Sequence, residues 1–155
     1  MLDANVAELL NEQINKEFYS AYLYLDFSNY FGEEGLDGFA NWYKVQAQEE
    51  RDHAMLFLQY LRRNLADRLQ VLRYGLEHEQ YVTSLIHTLY DAAYTVKDFR
   101  TMQFLDWFVK EQGEEEKNSE DLIKKMELFG TDAKGLYMLN SELAARTYTA
   151  PSLTL

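Results

Sequence analysis

The stretch LDGFANWYKVQAQEERDHAMLFLQYLRR, residues 36–63, decides the fold. Leu36, Phe39, Tyr43, Ala47, Glu50, His53, Phe57 and Leu61 recur at spacings of three and four, so they share one face of a helix. That face is apolar except in its middle, where Glu50 and His53 occupy positions suited to leucine. Three other segments repeat the pattern. The first runs from about Asp3 to Tyr30, with the stripe Val6, Leu10, Ile14, Glu17, Ala21, Tyr24 and Ser28, and Gly32 and Gly35 give stop signals after it. The third runs from about Asp67 to Val96, with Leu69, Leu72, Leu76, Glu79, Val82, Ile86, Leu89 and Ala93. The fourth runs from about Asp98 to Phe129, with Leu105, Phe108, Gln112, Glu115, Leu122, Met126 and Phe129. A short fifth helix after Gly130 carries Leu136, Leu139 and Leu143. The expected fold is all-α: a four-helix bundle with a short C-terminal helix, as one domain over residues 1–148 and a tail over 149–155.

Composition agrees. Hydrophobic residues make up 47% of the 155 residues, too many for a disordered chain, and the one proline, Pro151, lies beyond every helical segment. A net charge of -11 repels phosphate backbones and attracts cations, so nucleic acid is not an expected partner. There is no apolar run of membrane-spanning length and no apolar signal core, so a cytoplasmic protein with no membrane partner is expected. With no cysteine, a metal would be held by carboxylate and imidazole.

Each interrupted stripe puts a carboxylate toward a core, which costs several kcal/mol without a partner, and four together repel one another. A cation is the natural compensation. The four also share a level. Glu17 lies 16 residues before a turn near residue 33 and Glu50 lies 17 after it, while Glu79 and Glu115 each lie 18 from a turn near residue 97. The mismatch is one residue, roughly 1.5 Å of rise. Inward glutamates with a Glu-x-x-His pair are the general pattern of di-iron carboxylate bundles. The expected arrangement has Glu17, Glu50 and His53 on one iron, and Glu50, Glu79 and Glu115 on the other, with Glu50 bridging. Gln112 is expected beside the first iron.

Further candidates surround this set. Tyr24 follows Glu17 by two turns on the same face, suited to donating a hydrogen bond or an electron, and Trp107 precedes Glu114 by two turns; both also fit plain core. Glu49, Glu111 and Glu114 form a flanking group suited to a third, looser iron, or to a solvated acidic face. His78 and His87 fall off the stripe and are expected to face solvent.

The segments Leu10-Asn-Glu-Gln-Ile-Asn-Lys-Glu17, Glu49-Glu50-Arg-Asp-His53-Ala-Met, Leu76-Glu-His-Glu79 and Phe104-Leu-Asp-Trp-Phe-Val-Lys-Glu-Gln-Gly-Glu-Glu-Glu116 resemble bacterial non-haem ferritin. The resemblance runs from residue 1 to about 148. It implies a ferroxidase that oxidises Fe(II) with dioxygen or peroxide and stores ferric mineral in a 24-subunit homo-oligomeric shell. It assigns the paired irons to Glu17, Glu50, His53, Glu79, Gln112 and Glu115, and a third iron to Glu49, Glu111 and Glu114 with Glu115. Bacterioferritin, a similar fold, has a haem-ligating Met where this chain has Arg51, so no haem is expected. Rubrerythrin types add a cysteine-rich domain that this chain lacks.

The chain departs from the family in one respect. Ferritin-like bundles join their parallel second and third helices by a long crossover, whereas only about three residues, around Asn64, Leu65 and Ala66, separate the two helices here. A crossover past a 24-residue helix spans about 36 Å and needs roughly 11 extended residues. Three arrangements stay open: family-like packing with the crossover deleted or omitted, an antiparallel hairpin, and one fused helix from about Leu36 to Val96 that exchanges its second half with a neighbour. The second functional reading is a ferritin-derived structural or assembly module with altered oligomerisation that no longer stores iron.

Overall fold

The computed structural model describes residues 3–61 and 67–153. It contains five helices: α1 Ala4–Glu33, α2 Asp37–Leu61, α3 Arg68–Thr95, α4 Phe99–Phe129 and α5 Ala133–Ala144. No strand occurs among the described residues. The expected short connection around Asn64, Leu65 and Ala66 lies outside the described residues, as do the bridging residues of the fused-helix alternative.

Four helix starts are built by aspartates. Asp3, Asp67, Asp98 and Asp132 are N-caps whose carboxylates accept from backbone amides of the first turn, satisfying donors that have no partner within the helix. At Asp98 the Thr101 hydroxyl, 2.6 Å from Oδ2, adds a second donor. The hydroxyl and then the amide of Thr101 hold the Asp98 carboxyl below its ordinary range. Because the folded value is depressed, this cap contributes fully above the ordinary aspartate range and is lost as pH falls through the lowered value.

The chain forms two compact units that divide at residues 64 and 65. In the first, α1 packs on α2; in the second, α3 packs on α4, and α5 on α4. The buried residues of the first hairpin are Ile14, Ala21, Ala47 and Ala54, and three of these are alanines, which let two helix backbones approach closely. Ser28 adds a hydrogen bond from its hydroxyl to the Ala40 carbonyl, 2.8 Å away. The second unit buries Ala93, Leu105, Gln112 and Leu139. It is cross-braced by the Tyr90 hydroxyl donating to Asp106 at 3.0 Å, and by Arg73 with Glu127 at 3.3 Å. The acceptor Asp106, with burial and its charge adding, pushes the Tyr90 phenol up.

Some residues of the expected inward stripes are nevertheless open: Val6 is 43% exposed, Phe39 59% and Leu89 55%. A helix in a two-helix hairpin covers only the part of its stripe that faces its partner, so the rest of an inward face stays uncovered.

Both hairpins turn in the same way. The amide of Leu36 bonds the Phe31 carbonyl at 2.8 Å, and that of Asp98 bonds Ala93 at 2.9 Å, a six-to-one closure with a left-handed residue inside it. Gly35 supplies that residue at φ 71° in the first hairpin, and Lys97 at φ 58° in the second. Gly32, one of the two expected stop signals, remains inside α1 because only Gly35 takes the left-handed conformation. Lysine is strained in that region by about 1 kcal/mol. Lys97→Gly is therefore expected to raise the unfolding midpoint, with a gain of about 0.5–1 kcal/mol by denaturant titration.

Candidate metal centre

In the first hairpin, α1 carries Glu17 and α2 carries Glu50 and His53, which project from one face because they are three residues apart. His53 Nδ1 lies 3.2 Å from Glu50 Oε2 and 3.9 Å from Glu17 Oε2. One ligand atom from each of the three residues lies within 4.8 Å of the other two. First-row divalent ions hold N and O ligands at about 2.0–2.2 Å, so ligands on one ion stand about 3–4 Å apart. The three atoms reach that spacing with a small contraction. The carboxylates are sheltered, at 14% and 15% side-chain exposure, while His53 is open at 53%. One side of the cluster is thus walled by helix and the other is accessible.

The second hairpin carries Glu79 on α3, with Gln112 and Glu115 on α4. Gln112 is buried, and its amide donates towards Glu79 Oε2 at 3.3 Å, the Glu79 carbonyl at 3.2 Å and the Thr83 hydroxyl at 3.5 Å. Those bonds fix the orientation of the Glu79 carboxylate. Glu115 is half-buried. It lines a groove of α4 together with Trp107, Glu111 and Glu114, and the chain after α5 runs along the same groove. There Trp107 Nε1 donates to Ser152 Oγ at 3.2 Å, while its ring packs edge-on against Phe108 at 4.9 Å.

The two hairpins thus divide the expected ligands, Glu17, Glu50 and His53 on one, Glu79, Gln112 and Glu115 on the other. Glu49 and Glu114 are exposed and Glu111 is half-buried. Tyr24 is half-buried, with its ring 5.8 Å from Tyr43 and 6.2 Å from Phe27. His78 and His87 face solvent as expected.

Two supporting residues were not anticipated. Gln13 donates from Nε2 to Glu17 Oε1 at 2.7 Å. Thr83 accepts from Gln112 and donates to Glu116 at 2.5 Å. A four-residue offset from a ligand is the signal that marks Gln13 and Thr83, because each falls one turn from Glu17 or Glu79. Gln13→Leu is expected to weaken metal binding by about tenfold while leaving it measurable by titration calorimetry, since such a residue orients a ligand without being one.

Comparison with known proteins identifies the family. The Ferritin-like domain family matches residues 7–64 and, separately, 63–129. The bacterial non-heme ferritin of Campylobacter jejuni is 39% identical over 153 aligned positions, which cover 89% of this chain and 92% of that protein. The bacterial non-heme ferritin of Staphylococcus aureus is 34% identical over 163 positions, covering 96% of this chain and 98% of that protein. Among solved structures, the open-pore ferritin of the hyperthermophilic archaeon Archaeoglobus fulgidus is 39% identical with a TM-score of 0.53, over 94% of this chain and 98% of that one. An engineered closed form of the same ferritin is 40% identical with a TM-score of 0.54, over 96% and 100%. With the family matched over most of its length, and five helices like those of its structural neighbours, the chain belongs to the ferritin-like domain family.

Proposed function

We propose that the protein is an iron-storage ferroxidase, in which all the helices act as one ferritin-like domain over residues 1–148. The observation that carries this reading is the sheltered Glu17, Glu50 and His53 cluster, whose ligand atoms lie within 4.8 Å of one another. Names of relatives give further support, since those of C. jejuni and S. aureus are non-heme ferritins.

Fe(II) is the substrate. Glu17, Glu50 and His53 hold one ion; Glu79 and Glu115 hold a second, with Glu50 shared between them. Carboxylate oxygen stabilises Fe(III) more than Fe(II), because the added charge is met by hard anionic ligands, and this favours electron loss. Two Fe(II) ions give one electron each, reducing dioxygen and two protons to hydrogen peroxide; peroxide serves as the alternative oxidant. Gln112 orients Glu79 without adding charge. Tyr24 is near enough in sequence to Glu17 to donate a hydrogen bond or an electron towards the pair. Glu49, Glu111 and Glu114 take a third iron as ferric ions leave for storage.

The remaining parts of the reading follow from family membership. The protein works as a homo-oligomeric shell, 24 subunits in the family pattern, in the cytoplasm. No helix among the described residues is long and apolar enough to cross a membrane. Haem is not used, since Arg51 follows the shared Glu50.

The test is to add Fe(II) to the metal-free protein in air and follow ultraviolet absorbance. Oxidation well above the buffer rate is expected. A rate equal to buffer would refute the ferroxidase, and would favour the assembly module that stores no iron.

A further inference from the structure

We propose that each di-iron site is completed by two copies of this chain, hairpin α1–α2 of one closing on hairpin α3–α4 of the other, reciprocally. The proposal rests on the ligand set above, whose halves lie on separate hairpins.

Chain length is the first argument. Six residues, 62–67, separate Leu61 at the end of α2 from Arg68 at the start of α3. Seven Cα steps reach at most about 25 Å. Helix α2 has 25 residues and is about 37 Å long. Ferritin-like bundles return along that length through a long crossover before the third helix starts. Seven steps fall short of that length. The family comparison agrees: the chain matches in two separate segments, 7–64 and 63–129, that meet at residues 63 and 64, and the alignment with the S. aureus ferritin takes 163 positions, more than the 155 residues present.

Packing is the second argument. Each hairpin alone leaves apolar stripe residues open, including Val6 and Phe39 in the first and Leu89 in the second. Such faces require a partner hairpin. An antiparallel closure within one chain would reverse α3 and α4 against α1 and α2. Helix side chains lean towards the N-terminus, so that reversal gives the ligand-bearing faces of α3 and α4 the opposite lean. Exchange between two copies leaves α3 and α4 free to take the family's direction, because the short connection then runs between copies instead of back along α2. The occupant of each open face is therefore the complementary hairpin of a second copy.

The exchange is tested by complementation. Glu50→Ala removes a ligand from the first hairpin and Glu115→Ala one from the second, so either variant alone is inactive. In an exchanged dimer of one chain of each kind, one site collects both lesions and the other none. Refolding the two variants together in equal amounts is expected to restore about a quarter of the wild-type oxidation rate, since half the dimers are mixed and each holds one intact site. No recovery, with active wild-type protein, would overturn the exchange. If the wild-type protein itself oxidises no iron, the functional reading fails separately, and native mass spectrometry decides the exchange. Under dissociating conditions the smallest folded unit is expected to be a dimer, with folded monomers appearing after about 15 flexible residues are inserted between 63 and 64. Folded 18.3 kDa monomers from the unaltered chain, or dimers from both chains, would overturn it.

Discussion

Replacing Glu50 with Ala is expected to slow iron oxidation by about 100-fold or more, the largest functional effect of any single change, measured as the initial rate of ferric absorbance. Glu50 lies closer to His53 than Glu17 does, at 3.2 Å against 3.9 Å, and it belongs to both proposed ion positions. Its loss removes a charge from each ion at once. His53→Ala removes a neutral ligand from one ion only, so a smaller loss is expected, seen as weaker binding of the first metal in a titration. The half-exposed His53 also makes that substitution nearly neutral for stability. If both variants oxidise iron at the wild-type rate, the ligand assignment is wrong.

The largest effect on stability is expected next door. Ala54 is fully buried at 0% exposure, immediately after His53, in the hairpin whose covered residues also include Ala21 and Ala47. Ala54→Leu forces three extra carbon atoms into that close approach of α1 and α2, at a cost of about 1–3 kcal/mol. The variant should unfold at lower denaturant concentration. It should also weaken metal binding, because separating α1 from α2 moves Glu17 away from Glu50 and His53, which share α2. Ala54→Gly makes the contrast: it adds no bulk, so any loss comes from helix propensity, about 1 kcal/mol, with the metal site intact. Equal metal affinity in Ala54→Leu and wild type would mean that the cluster does not depend on helix spacing.

Much of this was legible along the chain because helical information is local. Asp3, Asp67 and Asp98 announce helix starts by their own chemistry, since an aspartate before an apolar-periodic run can satisfy first-turn amides. Spacing of three puts Glu50 and His53 on one face whatever surrounds them. Counting from the turns equally puts Glu17 level with Glu50, and their hairpin brings them into one cluster with His53.

Other features were not legible. The left-handed turn residue is Gly35 in one hairpin, where glycine signals it, and Lys97 in the other, where side-chain identity argues against it and only the closure of α3 on α4 imposes it. Gln13 and Thr83 look like ordinary polar helix residues. Their roles depend on side-chain rotamers and on which oxygens are left free after packing. The exposure of Val6, Phe39 and Leu89 likewise depends on how far one helix covers its partner. By itself the sequence determined the helices, the level of Glu17 with Glu50 and the family, because each follows from periodicity, caps and counted rise within continuous segments. Tertiary structure alone decided which atoms meet, with Glu17 reaching His53 across two helices and Gln112 fixing Glu79, because such contacts depend on helix separation and rotation, which no local pattern encodes.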